Sequence, residues 1–394
     1  MPAKGGSQLS ATLDSPRPHV IVIGGGVIGL SIGWRLASAG CRVDLYDRGP
    51  VGRGASHAAA GMLAAGVEAE PGEQPLLPLC RESQALWPGF AAELEAASGR
   101  PVGLRREGTL VVALTRDDVA LLRGNFEFQR RLGLDLQWLN GAEAKALEPH
   151  LNPRAAAAVF SPADGQVDNR AVTAALVDAF AAAGGTIHDG FAVDALELQG
   201  GRVRGVVVNG EVRRADVVVL AAGAWSRQIG GLPPELLPPV RPVKGQMLSL
   251  RMDPAAPLAR HVIWAPKCYL VPRGDGTLIV GATTEEKGWN ADLTAGGVLA
   301  LLEAAWRAIP GIEELPIAEM WTGFRPGSRD DAPVLGPVPG VDGLVLATGH
   351  HRNGILLTPV TADCVADFVL TGRIDPRIAG FGLDRFLKGR EAAA

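Results

Sequence analysis

Apolar and polar positions near the N-terminus follow two different periods in turn. The run VIVI after His19 is continuously apolar and β-branched, which is typical of a buried strand. The segment LSIGWRLASAG then places apolar residues at helical spacing and is predicted to end at Gly40. A second apolar strand, CRVDLYD, ends at Asp47. The pattern therefore predicts a β-α-β unit.

Two kinds of segment alternate along the rest of the chain. Segments with a β-α-β pattern are separated by strand-rich segments, and no internal repeat is visible. We predict helices over 74–98, 117–132 and 293–308, a strand over 103–114, a hairpin at QGGR and antiparallel strands within 243–283. Asn169 is a candidate cap for an Ala-rich helix. The segment EMWTGFRPGSRDDAPVLGP is predicted to extend into a loop, and a last helix is predicted to begin near Ile355.

Composition places the chain among globular proteins and disfavours several functions. Of its 394 residues 47% are hydrophobic and 20% are charged, which suits a sizeable core. The net charge of −4 suggests no nucleic-acid partner. No apolar run is long enough to span a bilayer, and residues 1–17, predicted to be a flexible tail, lack a signal-peptide core. Four widely spaced cysteines indicate reduced thiols and no metal site. We therefore expect a cytoplasmic protein without a membrane partner.

Three glycines occupy the turn between the first strand and the first helix. Gly24 permits a tight turn, Gly26 lets the backbone approach a pyrophosphate, and Gly29 lets the helix pack on the strand. The helix N-terminus offers N–H groups to phosphates, and Asp47 can accept hydrogen bonds from a ribose. An ordinary structural turn is the alternative interpretation. The order of strand, helix, strand and acid favours a dinucleotide site, without choosing between NAD and FAD.

Longer motifs extend this interpretation over most of the chain. They are VIVIGGGVIGLSIGWRLA, AAAGML, DGQVDNRAV, VVLAAGAWS, PVKGQMLSL, CYLVPRGDGTLIVGAT, WTGFRPGSRDDAPVLGP and ATGHHRNGILLTP. In these motifs the chain resembles the D-amino acid oxidase superfamily of flavoproteins, and within it the glycine oxidases of thiamine biosynthesis. The pair GxRPGxxDxxPxxG and GHxRNGILLxP is much more specific than the glycine turn, so it carries most of the resemblance.

The resemblance implies an α/β flavoprotein (α+β in its two-domain arrangement) that binds FAD rather than NAD. A Rossmann-like FAD-binding domain would comprise 18–80, 150–232 and 335–394, and a substrate domain with a mostly antiparallel sheet would comprise 81–149 and 233–334. Some relatives attach FAD through a histidine that falls on Ala58 rather than His57, so noncovalent FAD is expected. The implied cofactor contacts are Gly24, Gly26, Val27, Ile28, Gly29, Asp47, Arg48, Ser56, Ala60, Gly61, Met62, Val193, Ala222, Gly223, Trp225, Gly349, Arg352, Asn353, Gly354, Ile355 and Leu356.

The resemblance also implies four residues that act on the substrate. Arg325 matches the family's carboxylate-binding arginine, since a guanidinium can hold a carboxylate by two parallel hydrogen bonds. Tyr269 could add a third hydrogen bond. Arg352 could bring positive charge to the flavin or contact the substrate, beside backbone amides of 353–356, and Met62 could line the ring. Each residue has an alternative interpretation. Arg325 could be a surface arginine and Tyr269 a core aromatic residue, whereas Arg352 could be a structural loop residue and Met62 a core methionine.

The implied reaction is oxidation of glycine, sarcosine or a small D-amino acid by hydride transfer to the flavin, with molecular oxygen as the acceptor. The products would be a 2-oxo acid, ammonia or an amine, and hydrogen peroxide, and the imine would feed thiamine thiazole synthesis. One alternative is a dehydrogenase of D-amino or N-methyl amino acids that reduces a quinone or carrier. Another is a flavin subunit that works only inside a hetero-oligomer. Lys267 stands where a relative can have histidine, so substrate preference stays open, and we expect a homo-oligomer.

Overall fold

Two large β-sheets and one short strand pair organise the chain in a computed structural model that describes residues 17–387. The predicted tail therefore lies outside the described residues, except for Arg17. The strands are β1 (His19–Ile23), β2 (Arg42–Asp47), β3 (Met62–Leu63), β4 (Thr109–Ala113), β5 (Gln137–Asn140), β6 (Ala157–Ser161), β7 (Gly165–Gln166), β8 (Thr186–Asp189), β9 (Val193–Gln199), β10 (Arg202–Val208), β11 (Glu211–Arg214), β12 (Val217–Leu220), β13 (Arg241–Arg251), β14 (Val262–Ala265), β15 (Cys268–Pro272), β16 (Thr277–Gly281), β17 (Ile317–Gly327), β18 (Val334–Val338) and β19 (Val341–Thr348).

Eight α-helices accompany these strands within residues 17–387. They are α1 (Val27–Ser38), α2 (Ala55–Ala58), α3 (Leu77–Ser98), α4 (Arg116–Arg131), α5 (Gly141–Leu147), α6 (Asn169–Ala182), α7 (Ala295–Ala308) and α8 (Thr358–Thr371). No helix among the described residues has the length and apolar character required to cross a membrane.

The first sheet is built around parallel strands. Its order is β11-β10-β19-β12-β1-β2-β8, with β18 beside β19 and β9 beside β10. Strands β19, β12, β1, β2 and β8 run parallel, so their carboxyl ends share one edge. Helices α1, α3, α6 and α8 contribute to one buried core with these strands. Loops at the shared edge are therefore positioned by a rigid scaffold.

The second sheet is mostly antiparallel, in the order β17-β13-β16-β15-β14-β4-β6-β5. Only the pair β14 and β4 is parallel among its described neighbours. Helix α7 shares an apolar core with this sheet. A separate apolar cluster joins Met247, Tyr269 and Trp321 of the sheet to Ala58 and Ala60, which lie between β2 and β3. The candidate functional site lies at that contact.

Most of the predicted elements are confirmed, including the β-α-β unit, the QGGR hairpin and the antiparallel strands within 243–283. Three details differ. Asp168, rather than Asn169, caps α6, because its carboxylate accepts two N–H groups of the first turn. The segment with Arg325 is strand β17, because it pairs along β13. Helix α8 begins at Thr358, after a short 3₁₀ turn.

Two elements pack away from the domain to which the predicted boundaries assign them. Most of α3 falls within 81–149, yet Phe90 of this helix packs edge-on against Trp34 of α1, with ring centroids 5.6 Å apart. Strand β6 falls within 150–232, yet it pairs with β4 and β5 of the second sheet. Apolar faces decide these positions, since each element buries its face against the nearer sheet. The domain boundaries themselves stay a prediction.

Candidate active site

The backbone of the glycine turn between β1 and α1 packs too closely for side chains at two of its positions. Gly24 has a φ of +106°, and a Cβ atom on it would lie 2.5 Å from the carbonyl oxygen of Ala221. A Cβ atom on Gly29 would overlap the carbonyl oxygen of Gly24. Helix α1 has no side-chain cap at Gly26 and no acidic residue in its first turn. Nothing acidic in that turn competes with an anion for the positive helix end, which suits a pyrophosphate.

Asp47 ends β2 at the same edge and braces the turn. Its Oδ2 accepts the N–H of Gly25 at 2.7 Å, and its Oδ1 accepts the N–H of Gly49 at 3.0 Å. A carboxylate has about four acceptor positions, so capacity remains for ribose hydroxyls. The next residue, Arg48, places its guanidinium 4.0 Å from the ring centre of Trp225. Two residues predicted to contact the cofactor are thereby brought together.

The other predicted cofactor residues follow the carboxyl ends of the parallel strands. Ala222, Gly223 and Trp225 come after β12, Val193 comes shortly after β8, and a last group comes after β19. That group consists of Gly349, Arg352, Asn353, Gly354, Ile355 and Leu356. Shared position at one sheet edge is what a dinucleotide site requires. The individual contacts stay predictions.

The segment from Ser56 to Met62 is fixed by buried polar side chains. The Ser56 Oγ atom accepts the N–H of Val27 at 2.9 Å, which ties the segment to α1. Asn169 donates from Nδ2 to the Ser56 carbonyl at 2.7 Å. Arg273 donates to the carbonyl of Ala60 at 2.6 Å and to Asn169 Oδ1 at 2.9 Å. Sequence reasoning missed this brace, although Arg273 lies in CYLVPR and Asn169 in DGQVDN.

Three glycines of the second sheet provide space on the face that meets this segment. These glycines are Gly245, Gly281 and Gly323, and none of them has a positive φ. Each is therefore required by a close contact and not by the backbone conformation. A Cβ atom on Gly245 would lie 2.6 Å from a guanidinium nitrogen of Arg325. A Cβ atom on Gly281 would lie 2.7 Å from the Tyr269 hydroxyl oxygen. A Cβ atom on Gly323 would overlap the Cβ atom of Ala58.

The structure brings Arg325 and Tyr269 together. Burial raises the pKa of Tyr269, and the Arg325 guanidinium partly opposes this rise, so the phenol stays a proton donor at neutral pH. An Nη atom of Arg325 donates to the carbonyl of Thr283 at 3.1 Å. Arg325 forms no ion pair with any residue in 17–387. Its remaining N–H groups can therefore serve an anionic ligand.

Met62 lies against the same site. It packs on the apolar cluster that contains Ala58, Ala60 and Met247, as do Trp264 and Tyr269. The Tyr269 hydroxyl lies 3.9 Å from the Met247 sulfur. Large apolar groups thus pack around Tyr269, and such groups limit water near a bound ligand.

Arg352 is already paired with two carboxylates. Its Nε donates to Glu68 Oε2 at 2.9 Å, and an Nη atom donates to Glu73 Oε2 at 2.5 Å. The same guanidinium donates to the Glu68 carbonyl at 3.1 Å. The two carboxylates offset the positive charge that sequence reasoning assigned to this position, and a role toward flavin or substrate stays a prediction.

A buried lysine that sequence reasoning missed organises the loop beside Arg325. Lys244 is 1% exposed, donates to the carbonyl of Asp292 at 2.6 Å and lies 3.6 Å from Glu285 Oε2. Glu285 in turn accepts the hydroxyl of Thr283 at 2.6 Å. The carbonyl of Thr283 is the acceptor for Arg325. The sequence did contain a signal for this contact, namely a lysine inside the apolar strand PVKGQML. A buried lysine is rarely unpaired, so a partner for it could have been expected.

Three further residues from the motifs are His57, His350 and Lys267. His57 lies 3.4 Å from Arg53, and burial lowers the pKa of this histidine. Burial lowers the pKa of His350 to about 3, so it is neutral, in line with the structural role expected for it. Lys267 is exposed at the turn between β14 and β15, with a φ of +73°. Whether flavin is linked to His57 stays a prediction.

Comparisons with known proteins agree with this geometry. The protein family described as FAD dependent oxidoreductase, DAO, matches residues 19–368. The chain is 38% identical to glycine oxidase of Geobacillus kaustophilus over 94% of this chain and 98% of that protein. It is 37% identical to the bifunctional protein ThiO/ThiG of Trichormus variabilis, over 94% of this chain and 55% of that protein.

Solved structures give the same result for the fold. The crystal structure of the Geobacillus kaustophilus glycine oxidase superposes with a TM-score of 0.87 and 37% identity, covering 94% of this chain and 99% of that one. Iminodiacetate oxidase from Chelativorans sp. superposes with a TM-score of 0.83 and 27% identity, covering 92% and 98%. FAD fits the residues present, because the first turn of α1 holds no acidic residue and Asp47 retains acceptor capacity.

Replacing Asp47 by alanine should weaken FAD binding. The change removes a charged acceptor worth about 1.5–3 kcal/mol, which corresponds to a roughly 10- to 150-fold higher dissociation constant. Equilibrium titration of the apoprotein with FAD measures the effect. Asp189→Ala is the matched control, since Asp189 ends the neighbouring strand and braces Val51 by one bond at 3.1 Å. Equal affinities in Asp47→Ala and the parent would contradict the ribose contact.

Replacing Gly245 by alanine should displace the Arg325 guanidinium without removing its charge. The added Cβ atom would lie 2.6 Å from a guanidinium nitrogen, so the side chain must shift. We expect the dissociation constant for acetate to rise roughly tenfold, or about 1.4 kcal/mol. Calorimetric titration of the FAD-loaded protein measures it. Gly274→Ala is the control, because a Cβ atom there meets no heavy atom within 4 Å. Unchanged acetate binding would show that Arg325 is not the anion site.

Proposed function

Because the chain belongs to the DAO family of FAD dependent oxidoreductases, we propose that it oxidises glycine, or a small amino acid such as sarcosine or a small D-amino acid. Molecular oxygen is the proposed acceptor, and the products are the 2-oxo acid, ammonia or an amine, and hydrogen peroxide. The observation that carries the proposal is Arg325, a cation without an acidic partner in 17–387, held beside Tyr269. Identity with glycine oxidases over most of the chain supports it.

The carboxylate anchor fixes both position and angle. Arg325 can donate two parallel hydrogen bonds to a carboxylate, and the protonated Tyr269 hydroxyl can donate a third. The bond from Arg325 to the Thr283 carbonyl limits rotation of the guanidinium before a ligand arrives. A substrate held in one orientation reacts with less loss of entropy in the transition state. The anchor therefore serves both binding and rate.

The remaining residues shape the site around the reacting carbon. Bound FAD supplies the electron-accepting chemistry, which no side chain of this chain provides. Met62, Met247 and Trp264 enclose the site near Tyr269 and exclude water. Arg273 holds the segment that carries Met62 through its bond to Ala60. These residues hold Arg325 at a fixed position relative to the sheet edge that is proposed to bind the cofactor.

We also propose that the imine product supplies thiamine thiazole synthesis. The relatives named ThiO/ThiG support this placement, and the chain spans 55% of such a protein. Four buried cysteines, all free thiols within the described residues, suit the cytoplasmic location proposed for the chain. Assembly into a homo-oligomer stays a prediction, for which sedimentation of the purified protein is the direct measurement.

The reaction itself is tested by anaerobic mixing of the FAD-loaded protein with candidate substrates. Glycine, sarcosine or D-alanine should bleach the flavin absorbance, and admitted oxygen should restore it with formation of hydrogen peroxide. Failure of all three amino acids to bleach the flavin would contradict the proposal. Bleaching followed by slow reoxidation in air would instead indicate the dehydrogenase alternative.

Replacing Arg325 by alanine should raise the KM for glycine and lower kcat, because the anchor also aims the carbon–hydrogen bond. The expected loss in kcat/KM is on the order of 2–5 kcal/mol, the scale for removing one partner of a desolvated charge pair. Steady-state peroxide formation measures it, with FAD content checked by absorbance. Arg329→Ala is the control, since Arg329 is exposed and its guanidinium lies 6.0 Å from the ring centre of Phe386. Parental kinetics in Arg325→Ala would remove Arg325 from the site.

A further inference from the structure

Glu68 is a mostly buried carboxylate that the mechanism above does not use. Its side chain is 12% exposed, and its Oε2 accepts a hydrogen bond from Arg352 Nε at 2.9 Å. The part of the chain that the structure describes places no donor on Oε1. An acceptor position thus remains on a carboxylate that is held in place.

The backbone around Glu68 is clamped from two sides. The buried Asp164 carboxylate accepts the N–H of Val67 at 3.1 Å. The amide of Gln129 donates to the carbonyls of Val67 and Ala69, at 3.0 Å and 3.1 Å. Side chains from two distant segments therefore fix the residues on either side of Glu68. Such positioning is required of a group that must meet a reacting atom.

The charges around Glu68 do not balance by themselves. Arg352 brings one positive charge, and Glu68 and Glu73 bring two negative charges when both are ionised. Burial makes an uncompensated charge costly, so the cluster favours a cationic ligand or a bound proton. The ammonium group of an amino acid can be the cationic ligand, and it can also supply the proton.

Tyr269 is influenced by charges of both signs. The Arg325 guanidinium lowers the pKa of this buried phenol, and the Glu68 carboxylate raises it. The backbone also brings the two charges near each other, because Gly327, two residues after Arg325, forms an antiparallel β-bridge with His350, two residues before Arg352, which donates to Glu68 at 2.9 Å. A zwitterion at this position can direct its carboxylate to Arg325 and its ammonium to Glu68.

We propose that Glu68 accepts the proton that the substrate ammonium must lose before oxidation, while Arg325 holds the carboxylate. This inference rests on the proposed function. An N–H bond of the ammonium breaks, its electron pair stays on nitrogen, and an O–H bond forms at Glu68. No oxidant or reductant takes part in this step. The amine becomes neutral, as hydride loss from the adjacent carbon requires, and the cluster with Arg352 and Glu73 becomes neutral as well.

The ionisation of Glu68 suits this task. Burial raises the pKa of Glu68 to about 7, while Arg352 opposes the rise and Asp164 and Glu73 add to it. Two further titratable groups interact with Glu68, namely Cys80 and Tyr269. Above about pH 7 the carboxylate is ionised and can accept a proton, whereas below it the site is already filled. The kcat/KM for a zwitterionic substrate should therefore fall as the pH drops through about 7.

The first test compares Glu68→Gln with the parent by kcat/KM for glycine, measured from about pH 6 to about pH 10. The isosteric amide keeps the shape and cannot accept the proton. We expect a roughly 10²-fold loss near neutral pH and recovery toward the parent value at high pH, where glycine itself is a neutral amine. Glu73→Gln is the comparison variant, because Glu73 shares Arg352 at 2.5 Å but does not accept the proton. It should keep the fall in kcat/KM at low pH, moved to lower pH because Glu73 raises the pKa of Glu68.

A pH profile of Glu68→Gln parallel to that of the parent would overturn the proposal. If the parent fails to oxidise glycine, sarcosine and D-alanine, the proposed function fails instead, so the two failures are distinguishable. FAD content and melting temperature of the variant show whether it folds.

A second measurement needs no variant. Acetate carries a carboxylate and no ammonium, so its affinity for the FAD-loaded parent should fall severalfold between about pH 6 and about pH 8 as Glu68 ionises and repels it. Calorimetric titration across this range measures the effect. A constant affinity would overturn the assignment of Glu68, whether or not the variant is stable.

Discussion

The close approach of α2 and the residues after it to the second sheet is the constraint on which the site depends. A Cβ atom on Gly323 would overlap the Cβ atom of Ala58, so the strand must present glycine there. Arg273, from the same sheet, donates to the carbonyl of Ala60 at 2.6 Å. These contacts hold the edge where the parallel strands end against the sheet face that carries Arg325. Any residue that widened this gap would separate the anchor from the cofactor edge.

Within this contact the two arginines play different electrostatic roles. Arg325 has a carbonyl partner and no carboxylate in the described chain, so its charge is available to a ligand. Arg352 is held by Glu68 and Glu73, and the resulting cluster carries excess negative charge when both carboxylates are ionised. Under the roles proposed for them, positive charge at Arg325 and negative charge at Glu68 would orient a dipolar ligand before any chemistry begins.

How much of this site the sequence predicts depends on how local each signal is. The glycine turn, α1 and Asp47 lie within one β-α-β unit, so spacing alone predicts their arrangement. Gly245 has an ordinary φ, and its role becomes visible only when Arg325 of the neighbouring strand lies over it. Glu68 and Arg352 are 284 positions apart, and no pattern in either segment indicates that they pair. Local geometry was predictable, and the contacts between distant segments that balance charge were not.

The distribution of charge also explains why an amino acid suits this site better than a neutral or singly charged molecule of the same size. Burying a carboxylate at Arg325 replaces its water with charge-assisted hydrogen bonds, which offsets the cost of desolvation. A 2-hydroxy acid would make the same contact, yet it would leave the excess negative charge of Glu68 and Glu73 uncompensated in a place with little water. An amine without a carboxylate would leave Arg325 without its counter-charge. If Glu68 receives the amine as proposed, only a ligand with both groups satisfies both ends, and selection for the zwitterion then follows from charge balance.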